Sequence, residues 1–140
     1  MKILLDANVI VNYLTNHADK HSTESKQVMT MCINGLLDGY VAFHSVSIIW
    51  YSTRKDAPEK TRIGWIKLIC EVLKVISVDN RVILDAADNL EFRDFEDNLQ
   101  ECCAVSAGCD YIVTVNVKDY DHSRVQAVTP SELVSIINSL

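Results

Sequence analysis

Short apolar runs alternate along this chain with longer amphipathic ones, and that rhythm restricts the fold more than any other feature. Strand-length runs occur at 2–6 (KILLD), 41–44 (VAFH), 75–78 (VISV), 111–115 (YIVTV) and 125–129 (VQAVT). They are dense in Val and Ile without strict polar alternation, which suits strands covered on both faces. Between them lie helical patterns. Residues 22–38 form one, expected to stop near Gly39, and another covers 46–54. Residues 58–73 place Ile63, Ile66, Cys70 and Leu73 on one stripe, with Pro58 in the first turn. Residues 81–91 group Val82, Ile83, Ala86, Ala87 and Leu90, with Asn80 as N-cap. Residues 95–107 turn Leu99, Cys102, Cys103 and Ala107 inward and end at Gly108, a natural left-handed C-terminal position. The last helix opens with "TPSE": Thr129 caps, Pro130 takes the first position and Glu132 completes a capping box. Strands alternating with helices predict βαβ units and a three-layer α/β/α domain on a parallel sheet.

A chain of 140 residues suits a single domain spanning 1–140, burying roughly 68–70% of its unfolded surface. Nothing in it approaches the ~20 apolar residues of a membrane span. Asp6 and Asn8 also interrupt the apolar start that a signal peptide would need. The expectation is a cytoplasmic protein with no membrane association. Its cysteines, Cys32, Cys70, Cys102, Cys103 and Cys109, are odd in number, form no C-x-x-C and lie in or beside apolar segments. They read as reduced, buried thiols rather than disulfide partners or zinc ligands. A net charge of −6 argues against strong non-specific binding to nucleic acid, which depends on Lys and Arg. The distribution is uneven, with Arg54, Lys55, Lys60, Arg62, Lys67 and Lys74 crowded into 54–74 and acids crowded into 85–101. Either stretch alone reads more readily as a solvated face.

In open parallel sheets, ligands collect outside the carboxyl ends of the strands. Asp6 and Asn8 follow the first strand, Asn116 and Asp119 follow the fourth in "YIVTVNVKDY", and Asp94 and Asp97 open the preceding helix in "FRDFEDNLQ". Each has an ordinary alternative: a helix cap for Asp94 and Asp97, a turn for Asp6 and Asp119, a strand-end cap for Asn116. Jointly they are costly, because crowded carboxylates repel unless a cation lies between them. On that reading, neutralising Asp6 should stabilise the metal-free protein. Oxygen ligands favour Mg²⁺ or Mn²⁺ over zinc. Other chemistries lack support. His17 and His21 in "HADKH" have no zincin acid, His44 and His122 have no nucleophilic partner, and the four glycines do not cluster into a phosphate loop. A dehalogenase-type phosphatase would need D-x-D after the first strand, where this chain has Asn8.

"KILLDANVIVNYL", "FRDFEDNLQECCAVSAGCDYIVTVNVKDY" and "VTPSEL", in this order, resemble a PIN domain of the bacterial branch related to VapC-type toxins. The resemblance implies a five-stranded, mostly parallel sheet and an endoribonuclease that uses Mg²⁺ or Mn²⁺. It matches Asp6 and Asp97 to acidic metal ligands, Asp94 and Asp119 to recurrent acidic neighbours, and Asn116 to a fourth acid often replaced by asparagine. Asn8 matches the small polar residue after the first acid. It further implies an RNA substrate, an antitoxin protein as partner and a homodimer. Arg54, Lys55, Lys60 and Arg62 become candidates for holding an RNA backbone. Beside them, Trp50 is a base-stacking or core residue and Tyr51 a stacking candidate. One departure stands out: the family's glutamate on the helix after the second strand falls near Ile48, and no acid occurs from Val41 to Thr53. The alternative reading is therefore a weakened PIN scaffold that binds RNA or protein without cutting.

Overall fold

Five parallel strands form the middle layer of the computed structural model, which describes residues 1–17, 19–92 and 94–140. β1 (Lys2–Leu5), β2 (Asp38–Ala42), β3 (Lys74–Ile76), β4 (Tyr111–Val113) and β5 (Gln126–Val128) pair in the order β3-β2-β1-β4-β5. All four pairings are parallel. The helices are α1 (Ala7–Leu14), α2 (Ser22–Ile33), α3 (Phe43–Ser52), α4 (Glu59–Val72), α5 (Asn80–Ala87), α6 (Phe95–Ala107) and α7 (Pro130–Asn138). A short 3₁₀ helix, Val117–Tyr120, follows β4.

Central β1 shows why its run carries no polar alternation. Ile3 and Leu5 enter one core with Val9, Met29, Ile49 and Leu133, whereas Leu4 enters the other with Cys103, Ala104 and Ile112. Successive side chains point to opposite faces and both faces are covered, so all three are fully buried. The three-layer architecture expected from the sequence is the one observed. No helix among the described residues is long and apolar enough to cross a membrane.

α6 and α7 start and stop where their sequence signals place them. Gly108 takes φ 69° after α6, and Thr129 and Glu132 form the reciprocal capping box of α7. Elsewhere the boundaries move. α2 ends at Ile33, with Gly35 at φ 75° in the turn beyond it, and Gly39 lies inside β2. A Cβ on Gly39 would stand 2.6 Å from Leu73 Cδ2 and 2.8 Å from Cys32 Sγ, so close helix–sheet packing explains this glycine. α3 begins at Phe43, which puts His44 in its first turn instead of at a strand end. The cap of α5 is Asp79, whose side chain accepts from Val82 N–H at 3.1 Å, and Asn80 is already helical. The buried residues of α4 are Arg62 and Ile69, leaving Ile63 and Cys70 exposed; Cys32, Cys102, Cys103 and Cys109 are buried as free thiols. On α5 only Ala86 is buried, and Leu90 lies beyond the helix.

Candidate functional site

The strand order reverses between β1 and β4: β1 is followed by β2 on one side and pairs with β4 on the other. Connections that leave in opposite directions open a crevice outside the strand ends. Asp6 and Thr114, the residues just after β1 and β4, occupy it. Backbone pairing carries both into place, since Asp6 N–H donates to Val113 O at 2.9 Å and Thr114 N–H to Val128 O at 3.0 Å.

Asp6 caps α1 and is only 7% exposed. Its Oδ1 accepts from Ala7 N–H at 2.8 Å and from Gln100 Nε2 at 2.9 Å. Its Oδ2 accepts from Thr114 Oγ1 at 2.8 Å and from Asn8 Nδ2 at 3.3 Å. The hydroxyl of Thr114 accepts from Asn116 N–H at 3.1 Å, and Asn8 Oδ1 accepts from Val115 N–H at 3.3 Å. The turn after β4 is thereby tied to the end of β1.

α6 brings further acids to the same place. Asp94 is its N-cap, accepting from Glu96 N–H at 2.8 Å, and Asp97 lies in its first turn, where Tyr120 Oη donates to Oδ1 at 3.2 Å. A cleft of about 380 Å³ is lined by Asp6, Asn8, Asp94, Asp97, Asn116 and Asp119, so every candidate ligand converges there. A neighbouring hollow of about 450 Å³ shares Asp94, Asp97 and Asp119 and adds Glu91 and Asp121. On the α3 wall the cleft meets Ile48 and Ser52, so the position where the resemblance implies glutamate is an apolar lining residue.

Crowding leaves its mark on protonation. Burial, followed by the charges of Asp94, Asp6 and Asp119, pushes the Asp97 carboxyl up to about 7, against a lowering influence from the Tyr120 hydrogen bond. Glu96 is raised by burial and then by Asp6 and Asp94; Tyr120 is raised by burial and then by Asp6 and Asp97. Burial lowers His44, with the charge of Asp6 opposing it.

Four residues of this constellation escaped the sequence reading: Glu96 in the cleft wall, and Gln100, Thr114 and Tyr120 behind it. Spacing offered a signal for one. Gln100 stands three residues after Asp97 and four after Glu96, hence on their face of the helix. Thr114 and Tyr120 had none, because their partners are distant in sequence.

The basic candidates divide. Arg54, Lys55 and Lys60 are exposed around the turn between α3 and α4. Arg62 does not join them: it is 7% exposed, and two of its nitrogens donate within the protein. Its Nε donates to Thr53 Oγ1 at 3.3 Å, its guanidinium donates to Trp50 O, and it stacks 3.9 Å over the Trp50 ring. Trp50 is accordingly a half-buried packing residue. Tyr51 is exposed, with Arg54 4.0 Å over its ring. His17 pairs with Asp56.

Among the described residues no group of three His, Cys, Asp or Glu side chains gathers tightly enough to enclose a metal. Mg²⁺, however, keeps several waters and takes one or two carboxylates plus substrate phosphate oxygens. A cleft lined by hard oxygens and no thiol, where burial and then the neighbouring acids raise the Asp97 carboxyl to about 7, matches that demand.

A sequence profile described as PIN domain matches residues 2–118. Ribonuclease VapC1 of Aquifex aeolicus (strain VF5) is 24% identical over 143 residues, covering 99% of this chain and 97% of that protein. The structure of VapBC-1 from nontypeable Haemophilus influenzae superposes with a TM-score of 0.68 at 19% identity, over 94% of this chain and 99% of the matched chain. VapBC2 from Rickettsia felis, solved bound to a DNA fragment from its promoter, gives 0.68 at 14% identity, over 92% and 98%. Since the profile spans most of the chain and the superpositions cover more than nine-tenths of it, this protein belongs to the PIN domain family and has the fold of the VapC-type toxins.

Proposed function

We propose that the protein is a Mg²⁺- or Mn²⁺-dependent endoribonuclease that hydrolyses RNA phosphodiester bonds as the toxin of a toxin–antitoxin pair. The observation that carries the reading is the convergence of Asp6, from the end of β1, and Asp97, from α6, on one cleft with Asp94, Asn116 and Asp119 around them. The similarity to a protein named ribonuclease and to VapBC assemblies supports it. By the same analogy the partners are an antitoxin whose basic side chain enters the acidic cleft, and a second copy of the chain.

Asp6 and Asp97 would hold the cation, with Asp94 and Asp119 adding negative charge and Asn116 a neutral oxygen. A bound Mg²⁺ or Mn²⁺ supplies Lewis-acid polarisation of the phosphodiester and lowers the pKa of bound water. The chain's own residues orient that chemistry. Thr114 and Gln100 fix the Asp6 carboxylate, and the hydroxyl of Tyr120 fixes that of Asp97. Asp97, whose carboxyl sits at about 7 without a cation, would give up its proton in order to hold one.

The test is cleavage of structured RNAs in Mg²⁺ or Mn²⁺ by wild type, Asp6→Asn and Asp97→Asn. Each substitution is expected to cut the rate by roughly 100-fold or more. Equal cleavage by all three would mean a contaminating nuclease and end the reading. Ile48 in the cleft wall favours the scaffold alternative. That alternative predicts no metal-dependent cleavage, with RNA or protein binding unchanged in both variants.

A further inference from the structure

Gln100 is fully buried, yet only half of its amide is used. Nε2 donates to Asp6 Oδ1 at 2.9 Å, while Oε1 is buried without a partner among the described residues. An unpaired buried oxygen is costly, and an apolar side chain of the same shape would avoid that cost. Packing therefore gives no reason for a glutamine here, whereas the bond to Asp6 does.

A carboxylate offers about four acceptor positions. On Asp6, Oδ1 has two short bonds, from Ala7 N–H at 2.8 Å and from Gln100. Oδ2 has one short bond from Thr114 at 2.8 Å and one long bond, 3.3 Å, from Asn8, which itself lines the cleft. The weakly held position is thus on Oδ2, on the cleft side. Gln100 secures the other oxygen with a neutral donor, so the charge of Asp6 is not cancelled as a Lys or Arg would cancel it.

We propose that Gln100 is a positioning residue for Asp6: by saturating Oδ1 it leaves Oδ2 to face a divalent cation, and the Asn8 amide is the donor that gives way. The inference rests on the reading that this cleft takes Mg²⁺ or Mn²⁺.

The test measures Mn²⁺ binding to the full chain by the loss of the free-ion EPR signal, alongside melting in EDTA. Gln100→Met keeps the shape and removes the donor. It is expected to melt at or above the wild-type temperature while its Mn²⁺ Kd rises roughly 10- to 100-fold. In RNA cleavage the concentration of Mg²⁺ giving half the maximal rate should rise by a similar factor, with kcat at saturating Mg²⁺ within a few-fold of wild type. A merely structural glutamine would lower kcat and the melting temperature together. Wild-type Mn²⁺ affinity in Gln100→Met, and in Gln100→Leu as a second variant, would overturn this inference and leave the cleft's function standing. Failure of both variants to fold would assign Gln100 a structural role and also overturn it. If wild type itself binds no Mn²⁺, the reading of the cleft falls and this inference with it.

Discussion

Asp6 and Asp97 line one cleft, yet the protein treats their charges differently. Among the described residues Asp6 accepts four hydrogen bonds, whereas Asp97 accepts one and faces the repulsion of its neighbours. The Asp97 carboxyl sits at about 7 against an ordinary 3.8, so between those values the folded chain keeps a proton that the unfolded chain releases. Its stabilisation is complete below the lower value and is lost as pH rises through 7. Without metal, the melting temperature should therefore fall across pH 4–7, and Asp97→Asn should flatten that fall and melt above wild type at pH 7.5. Thermal denaturation in EDTA across pH checks both. Asp6→Asn should do the opposite. The sequence alone suggested that neutralising Asp6 would relieve repulsion and stabilise the metal-free protein. The structure reverses that expectation, because an amide in place of the carboxylate turns one accepting oxygen into a donor that faces other donors. A loss of about 1–2 kcal/mol, or roughly 3–7 °C for a chain of this size, is expected in the same scan.

At the scale of elements, what could be read from the sequence was whatever local chemistry decides. The capping box at Thr129 and the left-handed Gly108 fix helix ends within a few residues of themselves, and both lie where the residues indicate. Gly39 was misread because its reason is not local. It looked like a helix terminator and is instead the point where α2 and the residue after α4 approach β2. Gly39→Ala should cost about 1–3 kcal/mol through overpacking against Leu73 and Cys32, seen as a lower urea midpoint with an unchanged m-value. The stripe on α4 held only in part: Leu73 is buried and Ile66 packs against the core, whereas Ile63 and Cys70 are exposed and stacking on Trp50 turns Arg62 inward. In the site, the acids were legible because strand ends collect ligands. Thr114 was not, since its bond to Asp6 spans 108 positions and depends on the completed sheet, and for Gln100 spacing gave the helix face but not the partner 94 positions away.

Across the whole molecule the charges present a problem for binding RNA. The chain carries −6 overall and its cleft is acidic, so a polyanion meets repulsion at the site unless cations intervene. For the proposed RNA substrate, attraction would come from exposed basic groups, and of the sequence candidates Arg54, Lys55 and Lys60 are exposed. Arg62 serves the fold, with its guanidinium against Trp50 and bonded to Thr53. The two roles separate experimentally. Replacing Arg54, Lys55 and Lys60 together with alanine should leave melting within a few degrees of wild type. The same change should weaken RNA binding and reduce the slope of log affinity against log salt by about 2, near 0.7 per lost phosphate contact on a single strand. Arg62→Ala should lower the melting temperature by several degrees through lost packing, with the salt slope unchanged. Binding isotherms at several KCl concentrations, with Mg²⁺ fixed, decide the matter. An unaltered slope in the triple variant would move the RNA path to another face of the protein.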